Sequence, residues 1–105
     1  MINQEEIKLA FKHDNIILTN HVRERMKERN IRYNDIIVSA LNGNIIEQYQ
    51  DDIPHPSCLI CGYTEKRQPL HIVISLDKGT VWIITAYVPA LDKWDDNFKT
   101  RKAVK

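Results

Sequence analysis

Apolar positions in the first forty residues recur at intervals of three and four, and beyond Gly43 they alternate, so the chain predicts helices first and strands after. Ile7, Ala10 and Phe11 give the segment Gln4 to Lys12 one buried stripe, the mark of a short amphipathic helix. A strand-like run, Asn15 to Leu18, leads to Thr19 and Asn20, either of which can cap a second helix starting near His21. That helix has only Val22 and Met26 to bury, so most of its circumference is polar or free for a function. A third helix is expected to open at Asn34, to face the core with Ile36, Ile37, Ala40 and Leu41, and to stop at Gly43.

Four strands follow from the β-branched and aromatic runs Ile45 to Tyr49, Leu59 to Thr64, Leu70 to Leu76 and Val81 to Tyr87. Prolines mark Asp51 to Ser57 as a loop, and Asp77-Lys78-Gly79 reads as a tight hairpin between the last two strands. The expected fold class is α+β, with two or three N-terminal helices packed on a four-stranded antiparallel sheet. The segment from Pro89 through Trp94 to Arg101 is irregular or a short helix folding back over the sheet, and the acidic stretch Asp92 to Asp96 reads as a solvated turn anchored by one buried indole. At 105 residues the chain is expected to form one domain spanning 1–105.

Composition narrows the class. Apolar residues make up 43% and charged residues 28%, a globular balance. No apolar run approaches the roughly 20 residues of a membrane-spanning helix, and the N-terminus is acidic where a signal peptide is basic and then apolar. Together with only two cysteines, Cys58 and Cys61, this points to the reducing cytoplasm and to no membrane partner. The net charge of +1 hides an uneven distribution. Arg23, Arg25, Lys27, Arg29 and Arg32 cluster around the second helix, and Lys99, Arg101, Lys102 and Lys105 crowd the tail. A fold that joined the two clusters would make a phosphate-binding surface.

Two histidines carry the candidate chemistry. His21, Arg25 and Arg29 are spaced by four and form one helical ridge, a grouping suited to a phosphate, although a solvated face with local ion pairs to Glu24 and Glu28 explains the same spacing. His71 alternates with Leu70, Ile72, Ile74 and Leu76 and so points away from the core face of its strand. A three-residue hairpin loop sets His71 opposite Thr85 with Tyr87 diagonal; a two-residue loop sets it opposite Ala86. A purely structural histidine, hydrogen-bonded under the C-terminal segment, fits equally. Cys58 and Cys61 have a metal-like gap, but residues three apart on a strand face opposite ways, so buried thiols are the better reading. No glycine-rich phosphate loop, carboxylate cluster or serine elbow is present, so no metal and no cofactor is expected.

Several phrases taken in order resemble a known bacterial family: His21-Val22-Arg23-Glu24-Arg25-Met26-Lys27-Glu28-Arg29, Asn44 to Tyr49, Pro56 to Gly62, Pro69 to Val73 and Ile84 to Pro89, followed by Trp94, Phe98 and Arg101-Lys102. The chain resembles the family named domain of unknown function 4258. That resemblance implies a RelE-like or barnase-like α+β fold and a toxin of a bacterial toxin–antitoxin pair, encoded beside a zinc-finger antitoxin. It implies metal-independent RNA cleavage of the mRNA interferase kind, on free or ribosome-associated mRNA. Carried over by position, the catalytic candidates are His71, His21, Tyr87 and Arg25, and the phosphate-binding candidates are Arg29, Arg101 and Lys102. Cys61 stands where the family phrase is aliphatic and reads as a packing substitute. The competing functions are a non-catalytic RNA- or antitoxin-binding module and, last, a zinc or redox protein built on Cys58 and Cys61. The oligomeric state is left open.

Overall fold

The computed structural model describes residues 1–103 and contains three helices and a five-stranded mixed sheet. Helix α1 spans Gln4–Lys12; the Asn3 side chain accepts from the Glu6 amide at 2.9 Å and starts it, and Ile7 and Ala10 are its buried stripe. Helix α2 spans Asn20–Arg29, and of the two cap candidates Thr19 does the work. Its hydroxyl accepts from the Val22 amide at 3.1 Å and donates to the Ile83 carbonyl at 3.1 Å, so one residue both starts α2 and ties it to the sheet. Asn30, left-handed at φ 53°, ends it.

Helix α3 spans Tyr33–Asn42 with Arg32 at its cap, so it opens two residues earlier than a cap at Asn34 predicts. Asp35 reaches back to the Arg32 amide at 2.9 Å, the return arm of a capping box, while Asn34 points outward to Glu65. The core face also differs from expectation. Ile36, Ser39 and Ala40 are buried, whereas Leu41 is 43% exposed, because α3 presses its small residues against the sheet. A Cβ on Gly62 would lie 1.9 Å from the Ser39 carbonyl oxygen, so this approach requires glycine.

Strand β1 is Ile16–Leu18, and β2 to β5 are Asn44–Tyr49, Ser57–Tyr63, Pro69–Asp77 and Thr80–Tyr87. The order β1-β5-β4-β3-β2 corrects the four-stranded antiparallel expectation. The short run before α2 is a true edge strand, and it pairs parallel with β5, Ile17 beside Trp82. The remainder is an antiparallel meander.

The hairpin register differs from both readings offered above. The loop has two residues, Lys78 and Gly79, with φ values of 49° and 83°, the positive pair of a type I′ turn. Asp77 therefore faces Thr80, which alone would bring His71 opposite Ala86. A bulge at Ile84 adds one residue to β5 and moves the partner on by one, so His71 pairs with Tyr87 and Thr85 pairs with Val73.

Cross-strand pairing sorts the side chains into two faces. Cys58, Ile60, Leu70, Ile72, Ile74, Val81, Ile83 and Ala86 join Ile7, Val22, Ile36 and Ala40 in the core beneath the helices. The opposite face carries Glu47, Leu59, Cys61, His71, Val73 and Tyr87. Residues 88–103 cross this second face as an irregular strap, closed on itself by a Trp94–Arg101 bridge and by the Lys102 amide donating to the Lys93 carbonyl at 2.9 Å.

Candidate functional site

Adjacent strands place Cys61, His71 and Tyr87 in one row across the face under the strap. At the strap's tip Phe98 adopts a φ of 60°, and the Asn97 side chain accepts from the Lys99 and Thr100 amides at 2.8 and 3.1 Å. This turn delivers the Phe98 carbonyl to His71 Nε2 at 2.6 Å. A carbonyl only accepts, so Nε2 carries the proton, and Nδ1 accepts from the Tyr87 hydroxyl at 3.2 Å. Trp94 meets the imidazole edge-on with centroids 4.5 Å apart. His71 is 0% exposed and is held neutral: burial lowers its pKa, partly offset by the Phe98 carbonyl and the Glu47 carboxylate. Burial likewise raises the Tyr87 phenol, so the hydroxyl keeps its proton at neutral pH.

Tyr87 reaches an open cleft of about 600 Å³, lined also by Arg29, Val88, Ala90, Lys93, Trp94 and Arg101. Each cation arrives by a different route. Arg29 lies on the Val22–Met26 side of α2, and its Nη1 donates to the Ala86 carbonyl at 2.7 Å, which aims the guanidinium past the end of β5. Lys93 comes from the strap. Arg101 donates from Nε and Nη2 to Glu47 at 2.8 and 3.0 Å, with its guanidinium carbon 4.6 Å from the centre of the Trp94 ring. The Arg101 contact pulls the Glu47 carboxyl below its usual range, against the opposing effect of partial burial. The Tyr49 phenol, pushed up to about 12 chiefly by burial, donates to the same carboxylate.

Of the residues singled out from sequence, the fold brings together Tyr87, Arg29 and Arg101 at the cleft, with His71 directly behind Tyr87. It does not bring His21 or Arg25 there. His21 is exposed at the other end of α2, about 12 Å from Arg29 along the axis at the ordinary helical rise. Arg25 is occupied by Glu28 at 3.0 Å. Lys102 is exposed on the strap and does not line the cleft. Sequence reasoning missed Lys93 and Glu47. Lys93 sits at the edge of an acidic stretch that reads as bland, and the signal for Glu47 was a carboxylate interrupting the apolar run of its strand.

Cys58 pairs with Ile74 on the helix face and Cys61 with His71 on the strap face, so the two thiols are separated by the sheet. Both are buried, and burial pushes the Cys58 thiol up to about 12. Among the described residues no group of three His, Cys, Asp or Glu side chains is placed to hold a metal ion. Nor is any helix there long and apolar enough to cross a membrane.

Fold and site together define a small α+β protein with a cationic cleft whose one phenol is backed by a buried, neutral histidine. The chain belongs to the family described as Domain of unknown function (DUF4258), whose model matches residues 18–88, well over half of its length. The match takes in α2, α3 and the meander through Tyr87, with only Leu18 of β1, and ends before Lys93, Trp94 and Arg101. Neither the curated proteins nor the solved structures contain a match to the chain.

Proposed function

We propose that the protein is a metal-independent endoribonuclease of the bacterial toxin type, with a RelE-like or barnase-like fold, acting on mRNA and restrained by a zinc-finger antitoxin. The observation that carries this reading is Tyr87, which lines a cleft holding Arg29, Lys93 and Arg101 and whose hydroxyl is hydrogen-bonded at 3.2 Å to an imidazole nitrogen able to take its proton. Helices gathered ahead of an antiparallel meander support the fold assignment.

In this reading Tyr87 is the catalytic residue and His71 a positioning residue that stores a proton. The phenol oxygen accepts the ribose 2′-hydroxyl proton while its own proton passes to Nδ1 of His71. The 2′-oxygen then bonds to phosphorus, the bond from phosphorus to the 5′-oxygen breaks, and the leaving oxygen takes a proton from the Lys93 ammonium. Arg29 binds the non-bridging oxygens as their charge grows. The transient imidazolium is stabilised by the Phe98 carbonyl on Nε2 and by the nearby Glu47 carboxylate. Because the cleft is already cationic, its charge would repel a divalent ion and can itself serve the phosphate. His21 and Arg25 take no part in this chemistry.

A specific observation favours a second reading: both nitrogens of His71 are occupied and its ring is fully enclosed, as in a histidine that only holds the strap. The protein would then bind RNA or an antitoxin through the cleft without cutting. Induced expression in a bacterial host of the wild type beside Tyr87→Phe separates the two. The nuclease reading expects growth arrest with fragmented RNA from the wild type and a loss of cleavage of about a hundredfold or more in the variant. Intact RNA in cells holding soluble wild type supports the binding module.

A further inference from the structure

We propose that Arg101 is a stacking platform for an RNA base, not a phosphate clamp; this rests on the cleft being an RNA site, as proposed above. Two features distinguish it from the other cations there. Its Nε and Nη2 are both committed to the Glu47 carboxylate, in the bidentate geometry that neutralises a guanidinium and fixes its plane. Its guanidinium carbon lies over the Trp94 indole, 4.6 Å from the ring centre, and Trp94 is itself only 3% exposed, edge-on against His71. Glu47 and Trp94 together hold the guanidinium in place, yet the Arg101 side chain remains 59% exposed and lines the cleft.

A paired guanidinium has little charge left for a phosphate, but its open face is flat, rigid and polarisable, a surface on which an unstacked base can lie. Lys93 and Arg29, which also line the cleft, remain for the backbone phosphates. The ligand class is therefore a single-stranded nucleotide bound by its base at Arg101 and by its phosphate at Arg29 and Lys93. Such a platform selects single strands over duplexes, since a base must leave its stack to reach it.

The test uses the full chain and calorimetric titration with adenosine 5′-monophosphate and with ribose 5-phosphate, which share a phosphate and differ in the base. The wild type is expected to bind the nucleotide about tenfold more tightly than the sugar phosphate. Arg101→Lys keeps the charge and removes the plane, so it should bind the two probes alike. Glu47→Gln leaves the guanidinium charge unpaired and should strengthen ribose 5-phosphate binding severalfold. Equal affinities in the wild type, or a base preference that survives in Arg101→Lys, overturns the proposal. If the base preference depends on Arg101 but the protein cuts no RNA, the platform stands and the nuclease reading alone falls. If neither probe binds, the platform falls, and cleavage of RNA alone decides the nuclease reading.

Discussion

His71→Gln should flatten the pH dependence of stability between about pH 6.5 and the lowered pKa of the folded histidine. In the folded chain the imidazole is fully enclosed, and burial lowers its pKa from the ordinary value of 6.5, more than the Phe98 carbonyl and Glu47 raise it. Below pH 6.5 the unfolded chain binds this proton before the folded one does, so the unfolded state holds more protons and stability falls as the pH falls. The contribution is complete above the unfolded pKa and is lost as the pH drops through the folded one. The slope this one group adds is bounded by about 1.4 kcal/mol per pH unit. Glutamine can still donate to the Phe98 carbonyl from its terminal amide but does not titrate, so the strap bond is kept while the slope goes. Its fixed cost at neutral pH should be about 1–2 kcal/mol, for a lost hydrogen bond to Tyr87 and imperfect filling of the space between Tyr87 and Trp94. Urea melts of both proteins from pH 8 to pH 5 supply the two curves. Parallel curves across that window would refute the claim that the buried imidazole is neutral.

Other expectations are tied to single contacts. Gly62→Ala should cost about 3 kcal/mol or more in urea melts, because its Cβ would meet the Ser39 backbone oxygen at 1.9 Å and α3 would have to lift from β3. Lys78→Asn should raise stability by about 0.5 kcal/mol, since φ at this position is 49° and asparagine tolerates the left-handed turn better than lysine. Arg29→Ala should weaken binding of single-stranded RNA across all sequences and reduce the slope of log affinity against log salt by about one, read by anisotropy titrations at several salt concentrations.

Much of this architecture is legible from residue spacing. Ile7 and Ala10, Thr19 as a cap, and the alternation of Leu70, Ile72 and Ile74 about His71 report local physics, and the structure keeps them. What local pattern could not supply was long-range pairing. Nothing in Ile16–Leu18 says that it lies parallel to a strand more than sixty residues later, because a three-residue apolar run has no partner written into it. The partner of His71 was missed for a related reason: hairpin loop length sets register only as far as the first irregularity, and the bulge at Ile84 in an unbroken apolar run leaves no mark in the residues.

The candidate site divides in the same way. Tyr87, His71, Arg29 and Arg101 could be named from residue type and family resemblance, and the fold gathers them. The ridge His21–Arg25–Arg29 was a sound helical inference, but a ridge drifts around its axis, and only its last member reaches the end of β5. Glu47 and Lys93 came into view only when the strap was seen to cross the sheet, since the contacts between Arg101, Trp94 and Glu47 join segments far apart in the chain.

The most direct test of the central claim is incubation of the purified protein with an oligonucleotide of DNA carrying one ribonucleotide, beside its all-DNA counterpart, with the product ends identified by mass. Attack by a 2′-hydroxyl through Tyr87 predicts cleavage only 3′ to the ribonucleotide, leaving a 2′,3′-cyclic phosphate, and its loss in Tyr87→Phe. Cleavage of the all-DNA strand, or none of either strand by folded wild type, would contradict it.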